Sequence, residues 1–248
     1  MNLTLFKLGH SPWSERALWA LDHHGLARRE REYTPIFGEP GMRLKARRFK
    51  GRVTVPLLVS DDGVYQDSLE IARYADAHGS GSPLFPGLAG EVIATWNARS
   101  EEMLGAGRAR LTSRIAQSKA AKKDSLKFLP GPLRGAMLPL ANIGIAYITR
   151  KYKLDPTAQE ADLATIRQGL IELRGALADG RRNVLGEVGF SYADITMAVS
   201  LQVVEPVAER YIELGPALRE CWREPSLSQE FSDLVEWRDE IYAKHRRQ

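Results

Sequence analysis

The sequence predicts an α+β domain followed by an all-α domain. Three observations carry this. Short apolar or β-branched runs at Leu3–Leu8 and Val53–Val59 occur only in the first third of the chain. Gly79-Ser80-Gly81-Ser82-Pro83 has the composition of a linker. Beyond it, apolar residues recur at helical spacing and no strand pattern stands out. A chain of 248 residues is long for one compact domain and suits two. The expected division is residues 1–79, a linker at 80–88, and a helical domain at 89–248. Hydrophobic residues make up 44% and charged residues 27%, so packed cores are feasible and wholesale disorder is not expected.

Leu3 to Leu8 reads as a short buried strand. Gly9-His10-Ser11-Pro12 is a turn, with Pro12 suited to the first position of a helix and Ser11 at its N-cap. Trp13, Ala17, Leu18, Ala20 and Leu21 give that helix its apolar face, and Gly25 stops it. Arg28 to Tyr33 is a second strand, and Phe37 to Lys50 a loop with a short helix. Val53 to Val59 is a third strand, Asp61-Asp62-Gly63 a hairpin turn, and Val64-Tyr65-Gln66 the return strand. Asp67 or Ser68 caps the next helix, which carries Leu69, Ile71, Ala72 and Tyr74. The order β-α-β, loop, β-hairpin, helix is thioredoxin-like.

The second domain reads as helices throughout. Glu91 to Lys123 is a long helix interrupted by Gly105 and Gly107. Leu133 to Tyr152 is another, with Pro139 as a kink or boundary. Thr157 to Ala178 places Leu163, Ile166, Leu170, Leu173 and Leu177 on one face. Ser191 to Val204 and Ser226 to Lys244 complete the set. Ser191-Tyr192-Ala193-Asp194 has capping-box spacing and reads as structural.

Composition excludes several functions. Cys221 is the single cysteine, so an internal disulfide, a CxxC redox site and a zinc ribbon are ruled out. His23 and His24 are adjacent on a helix and do not face one another, so no metal site is expected. No basic stretch and apolar core opens the chain as in a signal peptide, and no run of about 18 apolar residues occurs, so a transmembrane segment is not expected. The expected location is the cytoplasm. The net charge is +4, and the excess gathers between Arg108 and Lys127. That stretch is either a solvated helix face or an anion- or membrane-facing patch. No nucleic-acid motif accompanies it.

Three clusters in the first domain point to chemistry. Ser11-Pro12-Trp13-Ser14-Glu15-Arg16 puts hydroxyls at a helix N-terminus, where N–H groups and the helix dipole favour an anion. If that anion is a thiolate, the hydroxyl stabilises it by donating a hydrogen bond. Lowering a thiol from its ordinary value near 8.5 by two units favours the charged form by about 2.7 kcal/mol. An ordinary Ser-Pro cap is the alternative. Val55-Pro56 sets a proline inside an apolar strand. A cis bond there would leave the Val55 backbone open to an extended peptide ligand; an edge-strand proline is the alternative. Asp67-Ser68 offers a carboxylate and a hydroxyl for the ammonium and carboxylate of a ligand, or simply a helix cap.

Taken together, Ser-Pro-x-x-x-Arg after the first strand, Val-Pro in a later strand, Asp-Ser after the hairpin, a linker and a downstream Ser-x-x-Asp box resemble the glutathione transferase superfamily over nearly the whole chain. The resemblance implies that glutathione is the co-substrate and that Ser11 activates its thiol, with Ser14 as the alternative activator one turn on. It also implies that Val55 and Pro56 meet the cysteinyl part and that Asp67 and Ser68 hold the γ-glutamyl end. Trp13 either covers the thiol or packs between the domains. The N-terminal motif is similar to the omega-type Cys-Pro-Phe-x-x-Arg with serine in place of cysteine, so a mixed disulfide with glutathione is not expected. The family's usual glutamate is Asp67 here, one methylene shorter. The implied activity is transfer of the thiolate to a small hydrophobic electrophile by a detoxifying homodimer. A non-catalytic module that binds a ligand or a protein is the second reading. A lipid-surface protein using Arg108 to Lys127 is the third. Among lesser candidates, His10 touches the site or is a loop residue, and His245-Arg246-Arg247 reads as a frayed tail.

Overall fold

The computed structural model describes residues 2–33, 38–46, 53–126 and 129–246. The first elements are β1 (Thr4–Lys7), α1 (Pro12–His23), β2 (Arg29–Glu32), α2 (Glu39–Lys45), β3 (Leu57–Val59), β4 (Val64–Gln66) and α3 (Ser68–His78). The four strands form one sheet in the order β2-β1-β3-β4. β1 runs parallel to β2 and antiparallel to β3, with Leu5 opposite Leu58 and Phe6 opposite Leu57. β3 and β4 form the expected hairpin. This is the thioredoxin-like arrangement that the sequence predicts.

Alternation along the strands separates two apolar layers. Phe6, Leu57, Val59 and Val64 join Tyr33, Met42, Ala46 and Val53 in one cluster. Leu5 and Leu58 are fully buried on the other face, and α1 packs against α3. β2 reads Arg-Glu-Arg-Glu and is exposed along its length, a charged edge that resists pairing with another chain. The expected strand over Val53–Val59 shortens to Leu57–Val59, because Pro56 has no N–H to give to a ladder. Of the expected loop and helix at Phe37–Lys50, α2 is present, while residues 37 and 47–50 lie outside the described residues.

The remaining elements are helical: α4 (Gly90–Gln117), α5 (Lys119–Asp124), α6 (Gly131–Ala136), α7 (Leu138–Tyr152), α8 (Gln159–Ala176), α9 (Tyr192–Ser200), α10 (Pro216–Trp222), α11 (Pro225–Glu230) and α12 (Ser232–His245). α4 runs unbroken through Gly105 and Gly107. At Gly107 a Cβ would come within 2.4 Å of Val203, so the glycine permits close packing; at Gly105 nothing lies within 4 Å. Pro139 falls in the first turn of α7, where its missing N–H leaves no gap. α10 is additional to the sequence reading. Its signal was Gly215-Pro216, with Pro216 in the first turn.

The chain divides into two compact units. One gathers residues 1–98, 176–199 and 237–248; the other gathers residues 99–175 and 200–236. The first is therefore assembled from three stretches of sequence. Gly79 in the linker candidate sits against His24, since a Cβ there would lie 2.2 Å from the His24 Cβ. Tyr242 meets Trp19 edge-on at 4.5 Å, and the Trp19 indole N–H donates to the His245 carbonyl at 3.2 Å. Asp194 is fully buried. It accepts from Val184 N–H at 2.7 Å, Ser191 N–H at 2.8 Å and the Ser191 hydroxyl at 3.0 Å. The Ser-x-x-Asp box thus ties the start of α9 to the preceding loop.

In the second unit, Glu224 is 4% exposed and serves two arginines of α4. Arg110 binds it through two nitrogens, at 2.5 and 3.1 Å. Arg114 donates to it at 2.6 Å. The Arg108 guanidinium lies 3.8 Å from the centre of the Tyr152 ring. Part of the basic stretch is thus internal scaffolding rather than solvated face, because arginine forks pair with a desolvated carboxylate and stack on rings.

Candidate thiol site

α1 begins where the sequence places it. Ser11 is the N-cap in an extended conformation, and its carbonyl accepts from Glu15 N–H at 3.0 Å. Its hydroxyl caps no N–H of the helix. The residue is 9% exposed, so the hydroxyl lies at the margin of the packed interior, beside the positive end of a 12-residue helix. Ser14 differs. It is 1% exposed, and its Oγ accepts the Leu8 N–H at 3.0 Å. That bond ties the end of β1 to the first turn of α1 and holds Ser14 in a structural role.

Glu15 and Arg16, also in the motif, are buried. Glu15 meets a residue from far along the chain: Arg246 Nε donates to its Oε1 at 2.7 Å, and Arg246 Nη1 donates to Asp22 Oδ2 at 2.6 Å. Burial pushes the Glu15 carboxyl above its ordinary range, and Arg246 offsets part of that rise. Burial works against the Arg246 charge, but the pull of Glu15 overrides it and holds the guanidinium charged. Arg246 is therefore an anchor and not a frayed tail; Arg247 lies outside the described residues. Contacts of this sequence separation leave no local signal, which is why the sequence reading missed it. Desolvation lowers His10 below its ordinary value, which favours the neutral imidazole next to Ser11.

The Val55–Pro56 bond is cis. β3 starts only at Leu57, so Val55 precedes the ladder. Pro56 is buried and its carbonyl accepts the Asp67 N–H at 3.4 Å, which brings the second and third clusters together.

Asp67 caps α3: its Oδ1 accepts the Glu70 N–H at 2.9 Å. Glu70 reaches back to accept the Gln66 N–H at 2.8 Å. The Asp67-x-x-Glu70 spacing was the available sign of this reciprocal arrangement. Asp67 has φ 89 and ψ 158, a region almost confined to glycine. An exposed non-glycine residue held there costs about 1–3 kcal/mol, and such strain gathers at ligand sites. Ser68 is 2% exposed and stands at the first position of α3. Trp13 is half-buried on the first turn of α1. Ser11, Val55, Pro56, Asp67 and Ser68 all belong to the first unit.

A family model described as "Glutathione S-transferase, N-terminal domain" matches residues 10–78, the stretch that holds these clusters. No curated protein matches the chain. Among solved structures, a glutathione S-transferase domain-containing protein from Marinobacter aquaeolei VT8 is similar at 20% identity and TM-score 0.63, over 98% of each chain. A glutathione S-transferase from Methylobacillus flagellatus KT, determined with glutathione bound, is similar at 16% identity and TM-score 0.63, over 98% of this chain and 96% of that one. A glutathione transferase family member from Pseudomonas fluorescens Pf-5, also with bound glutathione, is similar at 20% identity and TM-score 0.58, over 98% and 95%. The chain therefore has the glutathione transferase architecture, and its residues 10–78 match the N-terminal domain of that family.

Proposed function

We propose that this protein belongs to the glutathione transferase superfamily and is a serine-type transferase in which Ser11 donates a hydrogen bond to the glutathione thiolate. The observation that carries the reading is the contrast between two hydroxyls at one helix start. Ser11 caps no helix N–H, whereas Ser14 is occupied by Leu8. That contrast favours Ser11 as activator. Residues 1–79 are the glutathione-binding domain in this reading. The backbone of Val55, ahead of Pro56, pairs with the cysteinyl unit. Ser68 and the N–H groups opening α3 take the γ-glutamyl carboxylate, and Asp67 takes the ammonium. Trp13 lines the approach to the thiol.

The thiolate sulfur then attacks an apolar electrophile: a C–S bond forms, and the leaving group departs with the electron pair. The rate gain comes from the lowered thiol pKa and from positioning. Serine has no sulfur with which to form a mixed disulfide, so conjugation is favoured over thiol–disulfide exchange. The protein is expected to act as a homodimer.

Calorimetric titration of glutathione into wild type and Ser11→Ala, with thiolate absorbance followed against pH, tests this. Wild type is expected to bind glutathione and ionise its thiol well below the free value, and Ser11→Ala to lose that shift. Binding with an unshifted thiol would replace the enzyme by a non-catalytic module. Absence of binding would remove glutathione as the ligand.

A further inference from the structure

We infer that the consecutive helices α6 and α7, with the lysines of α5 beside them, dock on an anionic lipid surface. From residue 103 to residue 153 the sequence holds eleven lysines and arginines against one acid, Asp124. Residues 135–149 carry no charge at all. A helix at a protein surface normally turns charged and polar side chains outward. α7 departs from this: alongside Asn142 and Arg150 it exposes Pro139, Ile143 and Ala146, and Ala141 is its one buried residue. α6 exposes Leu133, and Met137 joins the two helices in the open. Leu133, Met137 and Ile143 are 52%, 38% and 57% exposed.

Charge decides what covers this face. Both α5 and α6 pack against α7. α5, packed on α7, carries exposed Lys119 and Lys123, and exposed Arg150 in the last turn of α7 is followed by exposed Lys153 at its C-cap. Among the described residues none of these four cations makes an ion pair. The acid in their midst, Asp124, is turned to the backbone, where it accepts from Ala217 N–H at 2.9 Å and Leu218 N–H at 3.2 Å. An apolar helical face with cations on the neighbouring helix and at its C-terminal end supplies the two signals that stable interfacial binding requires. A second copy of this chain would set like charges against each other. A nucleic acid would use the cations and leave the apolar face wet. Among the described residues no helix is long and apolar enough to cross a membrane, so α6 and α7 lie in the interface.

The test is co-sedimentation of the full chain with phosphatidylcholine vesicles prepared with and without phosphatidylglycerol, at low and high salt. Sedimentation velocity without lipid is run on the same proteins. Wild type is expected to bind only the anionic vesicles and to be released by salt. Ile143→Glu is expected to lose most of the binding. Lys119→Glu with Lys123→Glu, both at exposed positions, should weaken it by at least about tenfold. Glutathione affinity should not change in either variant, so a failure here stays separate from failure of the transferase reading. No binding to anionic vesicles, or equal binding to neutral ones, would overturn the inference. So would Ile143→Glu converting a larger species into a smaller one, since the occupant would then be a second copy.

Discussion

Arg246 closes on Glu15 across 231 positions of sequence, one helical turn beyond the serine that opens α1. The carboxylate is 3% exposed and the guanidinium 11%. Removing either partner leaves the other charge desolvated. Arg246→Met is expected to destabilise the fold by about 3 kcal/mol in urea denaturation. Glu15→Gln combined with Arg246→Met should recover part of that loss. Equal losses in the single and double variants would show that the pair does not act as a unit.

His245 stacks flat on Phe190, with ring centres 3.9 Å apart and planes within 4°. Burial first, then Lys244 and His23, lower its pKa to about 4. Unfolded, the imidazole takes a proton near 6.5. The stability it contributes is therefore complete above pH 6.5 and is lost as the pH falls towards 4, because the unfolded state binds the proton first. Between pH 7 and pH 5 the loss is expected to be about 1–2 kcal/mol. Thermal melts of wild type and His245→Gln at both pH values check this. The variant should show a smaller drop.

The two serines at the start of α1 separate stability from function. Ser14→Ala leaves the Leu8 N–H without its acceptor and should cost about 1–3 kcal/mol while keeping the thiol shift. Ser11→Ala should leave stability nearly unchanged and abolish the shift. Denaturation and thiolate absorbance on both variants give the answer. A thiol shift that survives Ser11→Ala and disappears in Ser14→Ala would exchange their roles.

Gly105 and Gly107 give opposite expectations within one helix. At Gly105 an added methyl meets nothing within 4 Å, so Gly105→Ala should stabilise by about 0.5–1 kcal/mol through lost chain entropy. At Gly107 the same methyl collides with Val203, and Gly107→Ala should destabilise by about 1–3 kcal/mol. Paired thermal melts check the sign of each change.

What the sequence revealed, and what it concealed, follows from distance along the chain. Strand runs, the Pro12 helix start, the Asp61-Asp62-Gly63 turn and the Ser191–Asp194 box are local patterns, and each led to the right element. Gly105 and Gly107 misled because a glycine in a helix reads as a break, whereas Gly107 answers to Val203 nearly a hundred residues away. The basic stretch misled for the same reason, since Glu224, partner of Arg110 and Arg114, lies in a distant loop. At the candidate site the residue types and their order were visible. The asymmetry between Ser11 and Ser14 was not, because it depends on a hydrogen bond across the β1–α1 turn.

The three-stretch make-up of the first unit bears on how the molecule is made. During synthesis, residues 1–98 leave the ribosome long before Phe190, Tyr242 and Arg246 exist to cover Trp19 and neutralise Glu15. Until then the nascent N-terminal segment holds an uncovered indole and an unpaired internal carboxylate. Its window of dependence on chaperones should last until translation has passed residue 246 and released it from the exit tunnel.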